Sequence, residues 1–212
     1  MLRRTFGPGH AFPVALALAL ALMAPAGALA GEHEDMCFEE ATDNERIVGC
    51  SALIDGGELS KDKLATAYAN RCLAHIQRKA ADLAIADCTQ AIKIDTKNSL
   101  AYAQRGEAYC QKGDLGNCVA DFDEAMRIDP NDTSFVYLRG MARADAGDAD
   151  GAIADLTKAI DQDPGTVAAY VRRGRIYEAE GDKARAAADY RSALKIDPYD
   201  ETAKQHLDAF GK

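Results

Sequence analysis

Aspartate returns at a fixed interval of 34 residues, at Asp95, Asp129, Asp163 and Asp197, followed in turn by Thr96, Pro130, Pro164 and Pro198. A constant period of a few tens of residues marks supersecondary units stacked on one another, and 34 is the length of one helix–turn–helix unit. Such a unit buries its apolar face only against its neighbours, so the period constrains the chain to an all-α solenoid. It also bounds function, because stacked arrays of this kind hold partners and seldom perform chemistry.

Other columns share the period. Counting from Ala65, Ser99, Thr133 and Val167, position four reads Tyr68, Tyr102, Val136, Tyr170, and position eight reads Cys72, Gly106, Gly140, Gly174. Position eleven is His75, Tyr109, Arg143, Tyr177, and position twenty is Ala84, Cys118, Ala152, Ala186. Position twenty-four holds Cys88, Phe122, Leu156, Tyr190, and position twenty-seven is alanine throughout, at Ala91, Ala125, Ala159 and Ala193. The pattern resembles the tetratricopeptide repeat (TPR), in four ungapped copies at 65–98, 99–132, 133–166 and 167–200. The resemblance implies a right-handed α–α superhelix of about ten helices. A segment at 31–64, with an amphipathic helix near 44–55, would cap the N-terminal end, and a helix within 201–212 would cap the other.

Large residues at positions four and twenty-four fill the space between two antiparallel helices, while glycine at eight and alanine at twenty permit close approach. Gly113-Asp114, Gly147-Asp148 and Gly181-Asp182 supply a C-terminal glycine followed by an N-capping aspartate. Pro130, Pro164 and Pro198 stop the second helix of each unit. Repeat one departs, with Lys79-Ala80 at the turn and Thr96 for proline. Position seven is always arginine (Arg71, Arg105, Arg139, Arg173) and position twenty-three always aspartate (Asp87, Asp121, Asp155, Asp189). Their near-equal distances from the turn predict a ladder of ion pairs that fixes register.

The first thirty residues read as a cleavable secretory signal. Arg3 and Arg4 form a short basic region, Val14 to Met23 is wholly apolar, and Ala28-Leu29-Ala30 supplies the small residues a signal peptidase needs. The apolar run is too short to span about 30 Å of hydrocarbon. No cysteine follows the cleavage site to take a lipid, so the expected product is a secreted, periplasmic monomer. Cleavage would take the formal charge from −9 to −11, which disfavours nucleic acid and anionic membrane as partners.

Six cysteines in a secreted chain point to disulfides. In the repeat frame Cys110 and Cys118 face each other across the turn of repeat two, and Cys72 and Cys88 have the same stagger in repeat one. Cys37 and Cys50 remain, flanking a short loop, which predicts the bridges 37–50, 72–88 and 110–118. The Cys-x7-Cys spacing also resembles the secreted Sel1-like repeat proteins, whose helical hairpins are stapled in this way.

Little in the sequence points to catalysis. Four histidines are present, His10 inside the signal, and no strand pattern leads into a phosphate-binding loop. Neither an enzymatic activity nor a cofactor is expected. Cys72, His75 and Cys88 could hold zinc if reduced, and a mature terminus Gly31-Glu32-His33 could wrap copper or nickel in a square-planar nitrogen set. Metal handling is nonetheless the remotest of the readings.

The family resemblance implies that the first helix of each repeat lines a concave groove. Carried onto this chain, those positions are Asn70, Leu73, Gln104, Glu107, Tyr137, Leu138, Met141, Arg172 and Arg175, with Ala69, Gln77, Ala103, Gln111, Val171 and Glu178 beside them. Ala69 and Leu73 stand where co-chaperone repeats carry the lysine and asparagine that clamp a C-terminal carboxylate, so a chaperone tail is not the expected ligand. The expected function is binding of a protein or peptide through the apolar anchors Tyr137, Leu138 and Met141, with Arg172 and Arg175 drawing an acidic flank. The alternative is a structural component of cell-envelope assembly acting through its convex face or caps.

Overall fold

The computed structural model describes residues 26–210. Among them are eleven α-helices and no strand: α1 (Ala26–Phe38), α2 (Asp43–Gly56), α3 (Lys61–Gln77), α4 (Ala81–Ile94), α5 (Ser99–Lys112), α6 (Leu115–Ile128), α7 (Ser134–Asp145), α8 (Ala149–Gln162), α9 (Val167–Ala179), α10 (Lys183–Ile196) and α11 (Glu201–Ala209). Each helix packs on the next, and α3 also meets α5, as α7 meets α9. The odd-numbered helices therefore form the inner wall of an all-α superhelix, and the even-numbered ones its outer layer.

Local chemistry ends each helix where the repeat demands. Gly113, Gly147 and Gly181 adopt φ of 82°, 83° and 84°, a left-handed conformation that costs glycine nothing. The next residue in each case, Asp114, Asp148 or Asp182, accepts the backbone N–H three residues on and so caps the outer helix. The periodic aspartates close the unit. The N–H of Asp95, Asp129, Asp163 and Asp197 donates to the alanine carbonyl of position twenty-seven at 2.8–2.9 Å. Their carboxylates then accept the N–H two residues on, at 2.9–3.0 Å, which turns the chain into the next repeat. Proline in between lacks an N–H and is prearranged for that turn; Thr96 shows that the aspartate suffices without it.

Between the paired helices the core is small against large. Gly106, Gly140 and Gly174 on the inner helices face the buried Phe122, Leu156 and Tyr190 on the outer ones, with the fully buried Ala152 and Ala186 one turn before Leu156 and Tyr190. A Cβ built on Gly174 would stand 2.9 Å from the Tyr190 ring, so any larger residue there would force the two helices apart.

The arginine–aspartate ladder is complete. Arg71, Arg105, Arg139 and Arg173 each donate two bonds of 2.6–2.9 Å to Asp87, Asp121, Asp155 and Asp189. The third guanidinium edge reaches the outer helix of the preceding unit, at Ser51, Thr89, Asp123 and Thr157. Each arginine thus joins two helices of its own repeat and the repeat before it. In repeat three, where Val136 and Arg143 replace the usual tyrosines, Arg143 adds a second cation to Asp155 at 2.8 Å.

Three disulfides join Cys37 to Cys50, Cys72 to Cys88 and Cys110 to Cys118, with Cα separations of 4.7, 5.4 and 5.2 Å. The N-terminal region differs from expectation. Cys37 lies in the last turn of α1 and Cys50 midway along α2, so their bond staples a full helical hairpin instead of a short loop. Helix α1 is the eleventh helix, absent from the expected count of about ten. It reaches α2 at Gly49, where an added Cβ would fall 2.5 Å from that of Met36. The apolar run Val14 to Met23 and the basic pair Arg3-Arg4 lie outside the described residues. Ala30 and Gly31, flanking the expected cleavage site, lie inside α1. Among the described residues no helix is long and apolar enough to cross a membrane.

At the other end α11 continues the inner row. Ala203 is fully buried, His206 stacks on Tyr190 with ring centroids 5.2 Å apart, and Glu178 receives both the Tyr190 hydroxyl and the His206 ring at 2.7 Å. Burial and the adjacent Glu178 carboxylate raise the Tyr190 phenol well above its ordinary range.

Candidate partner-binding groove

The expected groove residues divide into those the fold consumes and those it leaves open. Asn70 donates to the Cys37 carbonyl at 2.9 Å, tying α3 to the end of α1. Gln104 is 6% exposed, inside the array rather than on its wall. Leu138 packs against the cluster of Ala103, Phe122 and Phe135 between repeats two and three. Glu178 serves the α11 contact described above. These four contribute contacts that hold the solenoid together, Leu138 while remaining half-buried. Leu73 stays half-buried.

The open part lies toward the C-terminal end of the inner wall. Tyr137 and Met141 from α7, Val171, Arg172 and Arg175 from α9, and Thr202 from α11 line one cavity of about 420 Å³. Only inner helices and the connection into α11 contribute, which places the cavity in the groove. Tyr137 packs its ring on Leu156, Ile160 and Ala169, and burial pushes its phenol above the usual range, against an opposing effect of the Arg172 charge. A second cavity of about 530 Å³ shares Arg172 and Arg175 and runs past Asp145 and Ile176 to Ala179.

The charges around these cavities are unevenly satisfied. Arg172 is bound to Asp145 through Nη2, while its buried Nε has no partner among the described residues. Asp197 and Asp200 border the first cavity, but their carboxylates accept the N–H groups of Tyr199 and Ala203 at 2.9 and 2.6 Å. Arg175 is exposed and makes no ion pair among the described residues. Two repeats before it, Glu107 is half-buried on α5, and burial alone holds its carboxyl above the ordinary glutamate range.

Asp145, Asp197, Asp200 and Thr202 were not among the residues expected from sequence. Extending the 34-residue count past position 200 makes α11 a fifth inner helix and puts Thr202 on the wall, so part of that signal was present. The zinc alternative fails on chemistry, because Cys72 and Cys88 are bonded to each other and offer no thiolate. His75 lies instead 3.6 Å from Asp87, and burial lowers its imidazole below the ordinary range. His33 lies within α1, and among the described residues no cluster of three metal-binding side chains exists.

Residues 100–132 and 137–201 each match a family model described as tetratricopeptide repeat. Comparison with curated proteins gives no match. Among solved structures, MamA 41-end from Desulfovibrio magneticus RS-1 is 14% identical with a TM-score of 0.72, over 84% of this chain and 99% of that one. YrrB, described as a TPR protein with an unusual peptide-binding site, is 18% identical with a TM-score of 0.66, over 78% of this chain and 84% of that one. The first TPR of Spaghetti (RPAP3), bound to the HSP90 peptide SRMEEVD, is 22% identical with a TM-score of 0.52, over 55% and 93%. At these identities the likeness is one of fold. With two matched repeat models on a helical solenoid of this form, residues 100–132 and 137–201 are tetratricopeptide repeats, the architecture of a protein–protein interaction module.

Proposed function

We propose that the protein is exported to the periplasm and binds a segment of a partner protein in the groove between Tyr137 and Arg175. The observation that carries this reading is the cavity shared by α7, α9 and α11. It joins apolar wall from Tyr137, Met141 and Val171 to the open cation of Arg175, with Tyr137 and Val171 also packed against the core of the solenoid. Export is supported by the signal-like pattern of residues 1–30 and by six cysteines all engaged in disulfides. Tyr137 and Met141 serve as anchors, and Arg172 and Arg175 speed encounter with an acidic flank.

Capture of partners by the mature protein from an envelope fraction, compared with Tyr137→Ala and Arg175→Ala variants that keep native circular dichroism at the working temperature, tests this. Loss of one buried apolar anchor costs about 1.5–3 kcal/mol, or roughly ten- to a hundredfold in affinity. Full capture by both variants would move the contact to the convex face or the caps.

A further inference from the structure

The ninth position of each repeat comes once per inner helix, and over α5, α7 and α9 it reads Glu107, Met141, Arg175. Resting on the groove reading above, we propose that the occupant is an extended protein segment with a basic side chain opposite Glu107, an apolar one at Met141 and an acidic one at Arg175, successive members about three residues apart.

Glu107 motivates the basic member. The other carboxylates held inside the array, Asp87, Asp121, Asp155 and Asp189, each receive two arginine bonds. Glu107 is half-buried, and among the described residues it makes no ion pair or side-chain hydrogen bond to offset its desolvation. A carboxylate withdrawn from water without a donor is costly to the fold, and a cation from outside would complete it. Arg175 motivates the acidic member: it lines the cavity, is exposed and makes no ion pair among the described residues, whereas the two aspartates beside it each accept a backbone N–H of their own turn. Met141 lies between the two on the apolar wall. Spacing follows from geometry, since neighbouring helices stand about 8–10 Å apart and an extended chain advances about 3.3 Å per residue. A segment read only through its terminal carboxylate would leave Glu107 unanswered.

The test uses capped, fluorescein-labelled heptapeptides with glycine and serine as filler. Lys-x-x-Leu-x-x-Glu and Glu-x-x-Leu-x-x-Lys are the two mixed peptides, one for each chain direction; Lys-x-x-Leu-x-x-Lys and Glu-x-x-Leu-x-x-Glu are the controls. Fluorescence anisotropy with the disulfide-intact protein should show one mixed peptide binding about tenfold or more tighter than both controls. The double variant Glu107→Lys/Arg175→Glu, checked for native circular dichroism, should then prefer the other mixed peptide. An unchanged preference in the double variant, or no mixed peptide exceeding the controls, overturns the proposal. The groove reading is separable: it stands if Tyr137→Ala still abolishes capture of the natural partner, and falls if that variant captures as wild type does.

Discussion

The periodic aspartates act by two bonds each. Asp129, for example, ends α6 through its own N–H and starts the next turn through its carboxylate, so one residue type at one position sets the length of the repeat. Arginine at position seven works on a larger radius, since Arg105 bridges Asp121 in its own repeat and Thr89 in the one before. Arg105 and Asp121 side chains are only 18% and 9% exposed, so removing one partner strands the other. Asp121→Ala should lower stability by about 3 kcal/mol, and Arg105→Leu with Asp121→Leu should recover much of that loss, as buried pairs replaced together by apolar groups commonly do. Denaturant midpoints of the two variants check it. Glu107 should behave oppositely. Burial raises its pKa in the folded state, so at neutral pH its ionised form opposes folding. As pH falls through that raised value, the folded protein takes up the proton first and the penalty disappears. Glu107→Gln should therefore melt higher than wild type at pH 7, and the difference should vanish below the ordinary glutamate range.

At the scale of the helices, repeat one is the imperfect unit, and the reason is local. Lys79 takes φ of 57°, where the other three repeats place glycine, and Ala80 gives α4 no side-chain cap. Lys79→Gly relieves a left-handed strain while giving the unfolded chain more entropy to lose on folding, a net gain of about 0.5–1 kcal/mol. Adding Ala80→Asp should contribute about 1 kcal/mol more, and thermal melts of the single and double variants measure both. The Cys72–Cys88 bond lies in this weak unit, and closing its short loop is worth about 3 kcal/mol on the chain-entropy model. Five of the six cysteines are 0% exposed, and only Cys110 reaches solvent in part. Limited reduction followed by alkylation should label Cys110 and Cys118 before the other four. The paired helices α5 to α10 were legible because each turn, cap and small–large pair is written within one period. Helix α1 was not, since Ala26–Phe38 begins in alanine-rich sequence with no helical apolar stripe, and its position depends on the Gly49 contact and the Cys37–Cys50 bond. The start of α2 could have been read better: Thr42 and Glu45 form a capping box, a pattern visible three residues apart in the sequence.

For the whole molecule, the period sets the all-α solenoid but does not distinguish which inner-helix residues the fold would use. Asn70 and Leu138 share repeat position six with Gln104 and Arg172, yet Asn70 bonds the end of α1, Gln104 is buried and Leu138 joins a core cluster. Only the packing of each repeat on its neighbour decides that, and it leaves Met141 and Arg175 as the open members of the ninth column. The central claim is that a partner lies on this inner wall. A photocrosslinking amino acid placed at Met141, and separately at the exposed outer-helix position Lys158, reports contact directly in cells. The groove account predicts a crosslinked partner from Met141 and none from Lys158; a crosslink from Lys158 with none from Met141 would contradict it.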